Sequence, residues 1–174
     1  MIKFMGDMDC ILFRHGIAVD REDWDGREAE RPLTPKGVKK TREAAAGLRE
    51  LDMQPTHLFS SPYTRALETA TLIREELPKQ IDVEVHEEFL PTAPPEKLLA
   101  LLAKLPENAC VICVGHDPHL SETAGLLVFG KATAGLSLKK AGACCIHFDG
   151  KPKAGQGQLQ WWMTPSQLRS LAKQ

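Results

Sequence analysis

One short run near the start of the chain constrains the fold more than any other feature. Residues 10–16 read Cys-Ile-Leu-Phe-Arg-His-Gly, so four apolar residues lead directly into Arg14, His15 and Gly16. A continuous apolar run predicts a strand that is buried on both faces, as in a parallel sheet. Glycine then permits a sharp turn out of the strand. We therefore expect Arg14 and His15 at the carboxyl end of a buried strand, where open α/β sheets bind their ligands.

Strand and helix patterns alternate along the rest of the chain. Helices are predicted to start at Thr34-Pro35, Ser61-Pro62, Asp117-Pro118 and Thr164-Pro165, and a further helical stripe of leucines spans 98–105. Short apolar or alternating runs predict strands at 56–59, 81–85, 110–114, 143–148 and 159–163. This alternation predicts a three-layer α/β/α sandwich with a mostly parallel central sheet.

Length and charge exclude several classes of protein. The chain has 174 residues and a formal net charge of −1, which suits one ordinary globular domain. Without a basic excess, neither nucleic acid nor an anionic membrane surface is an expected partner. Residues 1–9 lack the apolar stretch of a signal peptide, and no run has transmembrane length. We expect a cytoplasmic protein and, in the absence of an obvious dimerisation insert, a monomer.

The spacing of two of the five cysteines is typical of a zinc or redox site, but their position in a strand argues against one. Cys110 and Cys113 form a Cys-x-x-Cys pattern, but it lies within a predicted strand. Residues three apart in a strand point to opposite faces, so this pair cannot share a metal or a disulfide. All five cysteines are interpreted as reduced core residues.

Two charged stretches leave alternatives open. The loop 20–31 carries Trp24 and Gly26 without an apolar period, and it is either a lid or binding loop or a disordered surface insertion. Lys139 and Lys140 precede a predicted strand and either meet an acidic partner or are ordinary solvated lysines.

The side chains of chemical interest collect at three strand-to-helix junctions. The first supplies Arg14 and His15, the second supplies Ser61 and Arg65, and the third supplies His116. In a parallel sheet these junctions share one edge, where helix N-termini also favour anions. Two arginines and two imidazoles at such an edge predict a phosphoryl pocket, with the arginines on the oxygens and one imidazole attacking phosphorus.

Two other interpretations compete with this pocket. In the first, His116 and His119, which are three apart, bind a metal together with His15 and Glu88, but two nearby arginines would oppose a cation. Alternatively, the histidines are satisfied structural residues beside salt-bridged arginines.

Four ordered motifs resemble those of a known family. They are Arg14-His15-Gly16, Leu33-Thr34-x-x-Gly37, Ser61-x-x-x-Arg65-Ala66-x-x-Thr69 and Gly115-His116. In this order they resemble the histidine phosphatase superfamily, which has the phosphoglycerate mutase-like fold. Two further runs are similar to its short branch of SixA-like phosphohistidine phosphatases: Arg31-Pro32-Leu33-Thr34 and Gly157-x-Leu159-x-Trp161-x-x-x-Pro165-x-x-Leu168. The resemblance covers about 9–171 and implies a single histidine phosphatase domain over 1–174.

The resemblance implies a role for each residue of the pocket. His15 matches the nucleophile that becomes phosphohistidine, and Arg14 and Arg65 match the two phosphate clamps. His116 matches the second histidine, which binds the phosphoryl group and stabilises its charge in the transition state. Ser61 is either a further phosphate ligand or a plain helix N-cap. The resemblance implies neither a metal nor another cofactor.

A general acid is harder to assign. Larger members of the superfamily use a carboxylate to protonate an alcohol leaving group. Glu88 is the nearest candidate, ahead of Glu87 and then Asp20. Phosphoimidazole leaves as a nitrogen base that needs little proton donation, so a poor acid favours phosphohistidine as the substrate. The sequence assigns no role to His119.

Three hypotheses about function follow from this pattern. The first is a phosphohistidine phosphatase that acts through phospho-His15 on a phosphorylated histidine protein, such as a phosphotransfer domain of a signalling relay. The second is a phosphatase for a small phosphate ester or anhydride, which requires a working acid. The third is a phosphate-binding module without turnover.

Overall fold

Strands and α-helices alternate along the chain as expected. The computed structural model describes residues 6–173, so the prediction about a signal peptide falls partly outside the described residues. The strands are β1 Asp7–Arg14, β2 His57–Ser60, β3 Val83–Val85, β4 Cys110–Gly115, β5 Ala143–Asp149 and β6 Gln158–Met163. The helices are α1 Pro35–Arg49, α2 Thr64–Glu76, α3 Pro95–Leu102, α4 His119–Phe129 and α5 Pro165–Leu171.

The six strands form one sheet in the order β3-β2-β4-β1-β5-β6. The pairs β3/β2, β2/β4 and β4/β1 are parallel, whereas β5 runs antiparallel to both β1 and β6. The prediction of a mostly parallel sheet is thus confirmed. As a result, the carboxyl ends of β1, β2 and β4 lie at the same edge of the sheet.

Helices cover both faces of the sheet, which confirms the three-layer sandwich. One face buries Leu12 and Cys113 against α3 and α4. The other face buries Phe13 and Val114 against α1, α2 and α5. Because side chains alternate along a strand, Cys110 lies on the face opposite Cys113. All five cysteines are buried and free, as interpreted from the sequence.

Two predicted helix starts were wrong, and each has a physical reason. The helix predicted from Ser61-Pro62 begins at Thr64, because the N–H of Ser61 donates to Val114 O at 3.0 Å and keeps the chain extended beside β4. Ser61 is therefore not the N-cap of α2, which is Tyr63. Likewise Asp117 does not cap α4, whose N-cap is Pro118. The carboxylate of Asp117 instead accepts hydrogen bonds from three residues farther along the chain, Ser121, Ser137 and Leu138.

The other helix starts follow the sequence signals. Thr34 caps α1 by accepting from the N–H of Gly37 at 2.9 Å. A Cβ on Gly37 would lie 2.0 Å from the carbonyl oxygen of Ile17, so glycine is needed at this position of the motif. Thr164 caps α5 in a capping box with Gln167. None of the helices within residues 6–173 combines the length and the apolarity needed to cross a membrane.

Candidate active site

The sharp turn after β1 fixes the backbone of His15. The N–H of His15 donates to Gly115 O at 3.0 Å, which ties the turn to the end of β4. The N–H of Gly16 donates to Thr69 Oγ1 at 3.0 Å, and that hydroxyl donates to Arg65 O at 2.7 Å. A Cβ on Gly16 would lie 2.1 Å from Thr41 Oγ1, so only glycine fits this packing. The turn therefore joins the ends of β1 and β4 to the first turn of α2.

The imidazole of His15 is buried and held in one tautomer. Its Nδ1 lies 2.7 Å from Gly16 O, and since a carbonyl only accepts, Nδ1 carries the proton. Its Nε2 accepts a hydrogen bond from Nε of Arg65 at 3.3 Å. Burial lowers the pKa of His15 to about 3, and the charges of Arg65, Arg14 and Lys140 add to that shift. At neutral pH, His15 therefore presents an unprotonated Nε2 beside a guanidinium.

Arg65 projects from the first turn of α2 and is 4% exposed. Its Nη2 lies 3.0 Å from Oε1 of Glu28, and its Nη1 donates to Glu28 O at 3.0 Å. The guanidinium also lies 5.0 Å from the ring centroid of Tyr63, at cation–π distance. Arg65 thus connects the loop 20–31 with His15.

His116 follows β4 and faces His15. The two ring centroids are 5.1 Å apart, and Nε2 of His116 lies 2.8 Å from Oγ of Ser61. Burial lowers the pKa of His116 to about 2, with a further contribution from His15 and the nearby arginines. Nδ1 of His116 is buried without a hydrogen-bond partner among residues 6–173. Ser61 and His116 therefore form one polar wall of the pocket.

Arg14 ends β1, and its charge acts on both His15 and His116. Its Nη1 donates to Leu138 O at 2.6 Å, and its Nε is buried without a partner in the described part of the chain. Leu138 is itself held by Asp117, whose Oδ2 accepts the N–H of Leu138 at 3.1 Å. Oδ1 of Asp117 accepts from Ser121 Oγ at 2.8 Å. A chain of contacts from α4 through the loop 130–142 thus orients Arg14.

Glu28 is a pocket residue that sequence reasoning missed. It lies in a short 3-10 turn, Glu28–Glu30, and contacts both Arg65 and Arg31. Hydrogen bonding from Arg31 lowers the pKa of Glu28, and the charges of Arg65, Arg31 and Arg21 lower it further. The one available signal was Arg31, three residues after Glu28, in a charged loop that follows the strand of the nucleophile. These contacts favour the binding-loop interpretation of the loop 20–31.

The acid candidates chosen from the sequence lie elsewhere. Glu87 and Glu88 line a cavity of about 640 Å³ between the end of β3 and α3, where Oε2 of Glu88 is 4.0 Å from Nδ1 of His86. Arg14, His15, Arg65 and His116 do not line that cavity. Asp20 is exposed at the start of the loop 20–31. The structure gives none of the three a contact with the pocket, and their role as acid stays a prediction.

His119 is buried close to His116, but the two do not belong to a cluster of three or more metal-ligating groups within residues 6–173. It is the first residue of α4 and is 1% exposed, and neither ring nitrogen has a partner among residues 6–173. Burial lowers its pKa to about 4. Within the described residues, a cluster with metal-like spacing is formed instead by Asp7, His147 and Asp149, at the other end of β1.

Comparison with known proteins gives the same family as the motifs. The sequence model of the histidine phosphatase superfamily (branch 1) matches residues 10–90. An uncharacterized protein of Picosynechococcus sp. is 38% identical over 141 residues, which is 78% of this chain and 82% of that protein.

Solved structures give the same fold. The protein histidine phosphatase SixA, complexed with tungstate, superposes with a TM-score of 0.80 at 24% identity, over 92% of this chain and 99% of that chain. A mutant phosphoserine phosphatase of Entamoeba histolytica in complex with phosphoserine gives a TM-score of 0.67 at 19% identity, over 92% and 99%. At these identities the likeness establishes the fold alone.

Proposed function

The chain belongs to the histidine phosphatase superfamily, and we propose that it dephosphorylates phosphohistidine on a protein. One observation carries the proposal. The buried His15 keeps its proton on Nδ1 through Gly16 O and directs Nε2 toward the guanidinium of Arg65. This arrangement supplies a neutral nitrogen nucleophile beside a donor that can hold a phosphoryl oxygen.

In the first step, Nε2 of His15 attacks phosphorus in line with the leaving nitrogen. The new Nε2–P bond forms as the P–N bond of the substrate phosphohistidine breaks, and the electron pair of that bond returns to the substrate imidazole. Arg14, Arg65 and His116 bind the equatorial oxygens, and Ser61 adds a hydroxyl. Positioned donors of this kind stabilise the charge that is distributed over those oxygens in the transition state.

In the second step, water attacks the phosphorus of phospho-His15. The P–O bond forms as the Nε2–P bond breaks, so inorganic phosphate leaves and His15 regains its lone pair. The hydrogen bond from Nδ1 to Gly16 O, 2.7 Å long, keeps the imidazole in the same orientation through both steps. Dedicated proton donation to the leaving group is absent from this scheme.

The electrostatics of the pocket support phosphohistidine over an ester. Among residues 6–173, the carboxylate in contact with a pocket cation is that of Glu28, and its pKa is lowered by Arg31 and Arg65. A carboxylate held in its ionised form cannot protonate an alkoxide leaving group. A phosphoimidazole needs little such help, because the imidazole leaves as a nitrogen base.

The proposal is tested by comparing two substrates side by side with EDTA present. A phosphohistidine protein and a simple phosphate monoester are turned over by the wild-type chain and by His15→Asn. Fast loss of phosphate from phosphohistidine with slow ester hydrolysis is expected, and the variant should do neither. Faster hydrolysis of the ester would overturn the proposal in favour of a small-molecule phosphatase. Tight tungstate binding without any turnover would indicate a binding module.

A further inference from the structure

A basic cavity lies directly behind the turn that carries the nucleophile. It has a volume of about 360 Å³, and its lining includes four cations: Lys40, Lys139, Lys140 and Arg169. These cations come from three different elements, namely α1, the loop 130–142 and α5. The lining contains no carboxylate. In a chain with 22 basic and 23 acidic side chains, such a separation of charge calls for a physical explanation.

The cavity shares a wall with the active site. Ile17, two residues after His15, lines it, and so does Ala141. The N–H of Ala141 lies 3.1 Å from both Arg14 O and His15 O. The charge of Lys140 is one of those that add to the effect of burial on the pKa of His15. A ligand in this cavity would therefore lie next to a substrate whose phosphoryl group is at His15.

The lysines of the cavity have no ion-pair partner among residues 6–173. Arg169 has one, since its Nε lies 3.6 Å from Oε2 of Glu43. The structure of residues 6–173 gives no ion pair to Lys40, Lys139 or Lys140. Lys139 and Lys140 are exposed, so their ammonium groups are accessible to a partner. Like charges repel one another, and an anionic ligand would remove that cost.

We propose that this cavity docks an acidic segment of the phosphohistidine protein, which rests on the function proposed above. Cations from three elements suit several carboxylates spaced along a chain better than one compact anion. Lysine carries a hydrated ammonium group on a flexible stem. Such a group steers the approach of an acidic partner and aligns it on the surface more than it adds to the affinity. The surface therefore adds substrate selection to a pocket that by itself recognises a phosphoryl group.

The test uses the double variant K139Q/K140Q and the matched control K151Q/K153Q, an exposed lysine pair in the turn between β5 and β6. The first arm compares kcat/KM on a phosphohistidine protein with kcat/KM on a small phosphoramidate. In K139Q/K140Q, the ratio of these two constants should fall roughly tenfold at low salt, since electrostatic steering acts on the protein substrate. The difference from wild type should shrink at high salt. The proposal is overturned if this ratio of kcat/KM values falls equally in both double variants, or if it falls in neither of them.

A second arm measures binding of a labelled peptide that alternates glutamate and glycine, by fluorescence anisotropy. Binding that weakens in K139Q/K140Q and not in K151Q/K153Q supports the docking surface, even if phosphohistidine turnover fails and the proposed function is wrong. Absence of peptide binding to the wild-type chain overturns it. Competition by inorganic phosphate that is lost in K139Q/K140Q while peptide binding is unchanged would identify a small-anion site and also overturn it.

Discussion

The two arginines of the pocket are held in different ways. Arg65 is bound by a carboxylate as well as a carbonyl, because its Nη2 lies 3.0 Å from Oε1 of Glu28 and its Nη1 donates to Glu28 O in the loop 20–31. Arg14 is bound by a carbonyl, because its Nη1 donates to Leu138 O in the loop 130–142 at 2.6 Å. A carboxylate competes with a phosphoryl oxygen for the same N–H groups, whereas a single carbonyl leaves the other donors of the fork available.

This difference assigns different tasks to the two sides of the pocket. On the Glu28 side, ligand binding exchanges one anionic partner of Arg65 for another. On the Leu138 side, Arg14 keeps its partner, and its buried Nε offers an unused donor. We therefore expect substitutions on the Leu138 side to act through orientation, and substitutions on the Glu28 side to act through competition.

Between the two sides of the pocket, the largest effect is expected from Arg65→Ala. Arg65 donates to the nucleophile at 3.3 Å and would bind the phosphoryl group, so kcat/KM on phosphohistidine should fall by about 10³-fold. Arg65→Lys should recover little, because an ammonium group cannot reproduce the two-pronged geometry. Arg42→Ala is the control, since Arg42 pairs with Glu75 on the surface. Steady-state kinetics that show near wild-type turnover in Arg65→Ala would refute this assignment.

The next largest effect is expected from Asp117→Ala. It removes one of the two acceptors of the Leu138 N–H and leaves the other, Oγ of Ser121, without its own acceptor, so the carbonyl that holds Arg14 is less well fixed. Activity should then fall by roughly 10- to 100-fold through misplacement of the guanidinium. The inhibition constant of tungstate should rise in parallel. In a double-mutant cycle, Asp117→Ala should lower activity little further when Arg14 has already been replaced by alanine. Fully additive losses would mean that Asp117 acts by some other route, and Ser137→Ala, which removes only a 3.5 Å contact, serves as the control.

The buried imidazoles between the two sides predict a loss of stability in mild acid. The folded-state pKa values of His15, His116 and His119 are lowered to about 3, 2 and 4, so below the unfolded value near 6.5 only the unfolded state takes up protons. Stability from these groups is fully present above that value and is lost as pH falls. Each contributes up to about 1.4 kcal/mol per pH unit.

Urea unfolding between pH 6.5 and 5 measures this slope. The pKa of His147 is raised despite its burial, because its Nδ1 donates to the carboxylate of Asp9. Stability from this group is lost as pH rises above 6.5, so it adds little to the slope in this window. His119→Leu removes one of the three imidazoles, so the slope of the unfolding free energy against pH should become smaller by the contribution of one group. Stability that stays flat or rises toward pH 5 would show that the imidazoles are protonated in the folded state.

The smallest effect is expected from Glu28→Gln. Removing the competing charge should tighten tungstate inhibition a few-fold, as expected for a partly exposed ion pair. Ester hydrolysis should change no more than that. Glu30→Gln, which removes the partner of Arg27, is the control. A loss of several orders of magnitude on an ester would identify Glu28 as the general acid and would break the contrast between the two sides.

The central residues of the pocket were predictable because local pattern and topology agree. Apolar runs that end in Arg14-His15 and Gly115-His116 marked two buried parallel strands, and the carboxyl ends of such strands share an edge. The start of α2 was misplaced, because the extended backbone of Ser61, just after β2, depends on a hydrogen bond to Val114, which is distant in sequence. The domain boundaries and the monomeric state stay predictions.

The residues that support the pocket were not predictable from one sequence. Arg14 and Leu138 are 124 positions apart, and Arg65 and Glu28 are 37 apart. No local period links such pairs, and Asp117 resembled an ordinary helix cap. The sequence left open whether Lys139 and Lys140 meet an acidic partner. Only the fold shows that they line one cavity with Lys40 and Arg169.

The central claim is that His15 carries the phosphoryl group during turnover. The most direct measurement is rapid quenching in base, followed by mass spectrometric mapping of the phosphorylated residue, with a phosphohistidine protein as the donor. The account predicts phosphate on Nε2 of His15 in the wild-type chain, and neither phosphoenzyme nor turnover in His15→Asn. Appreciable turnover by His15→Asn, or a phosphoenzyme located at His116 instead, would contradict it.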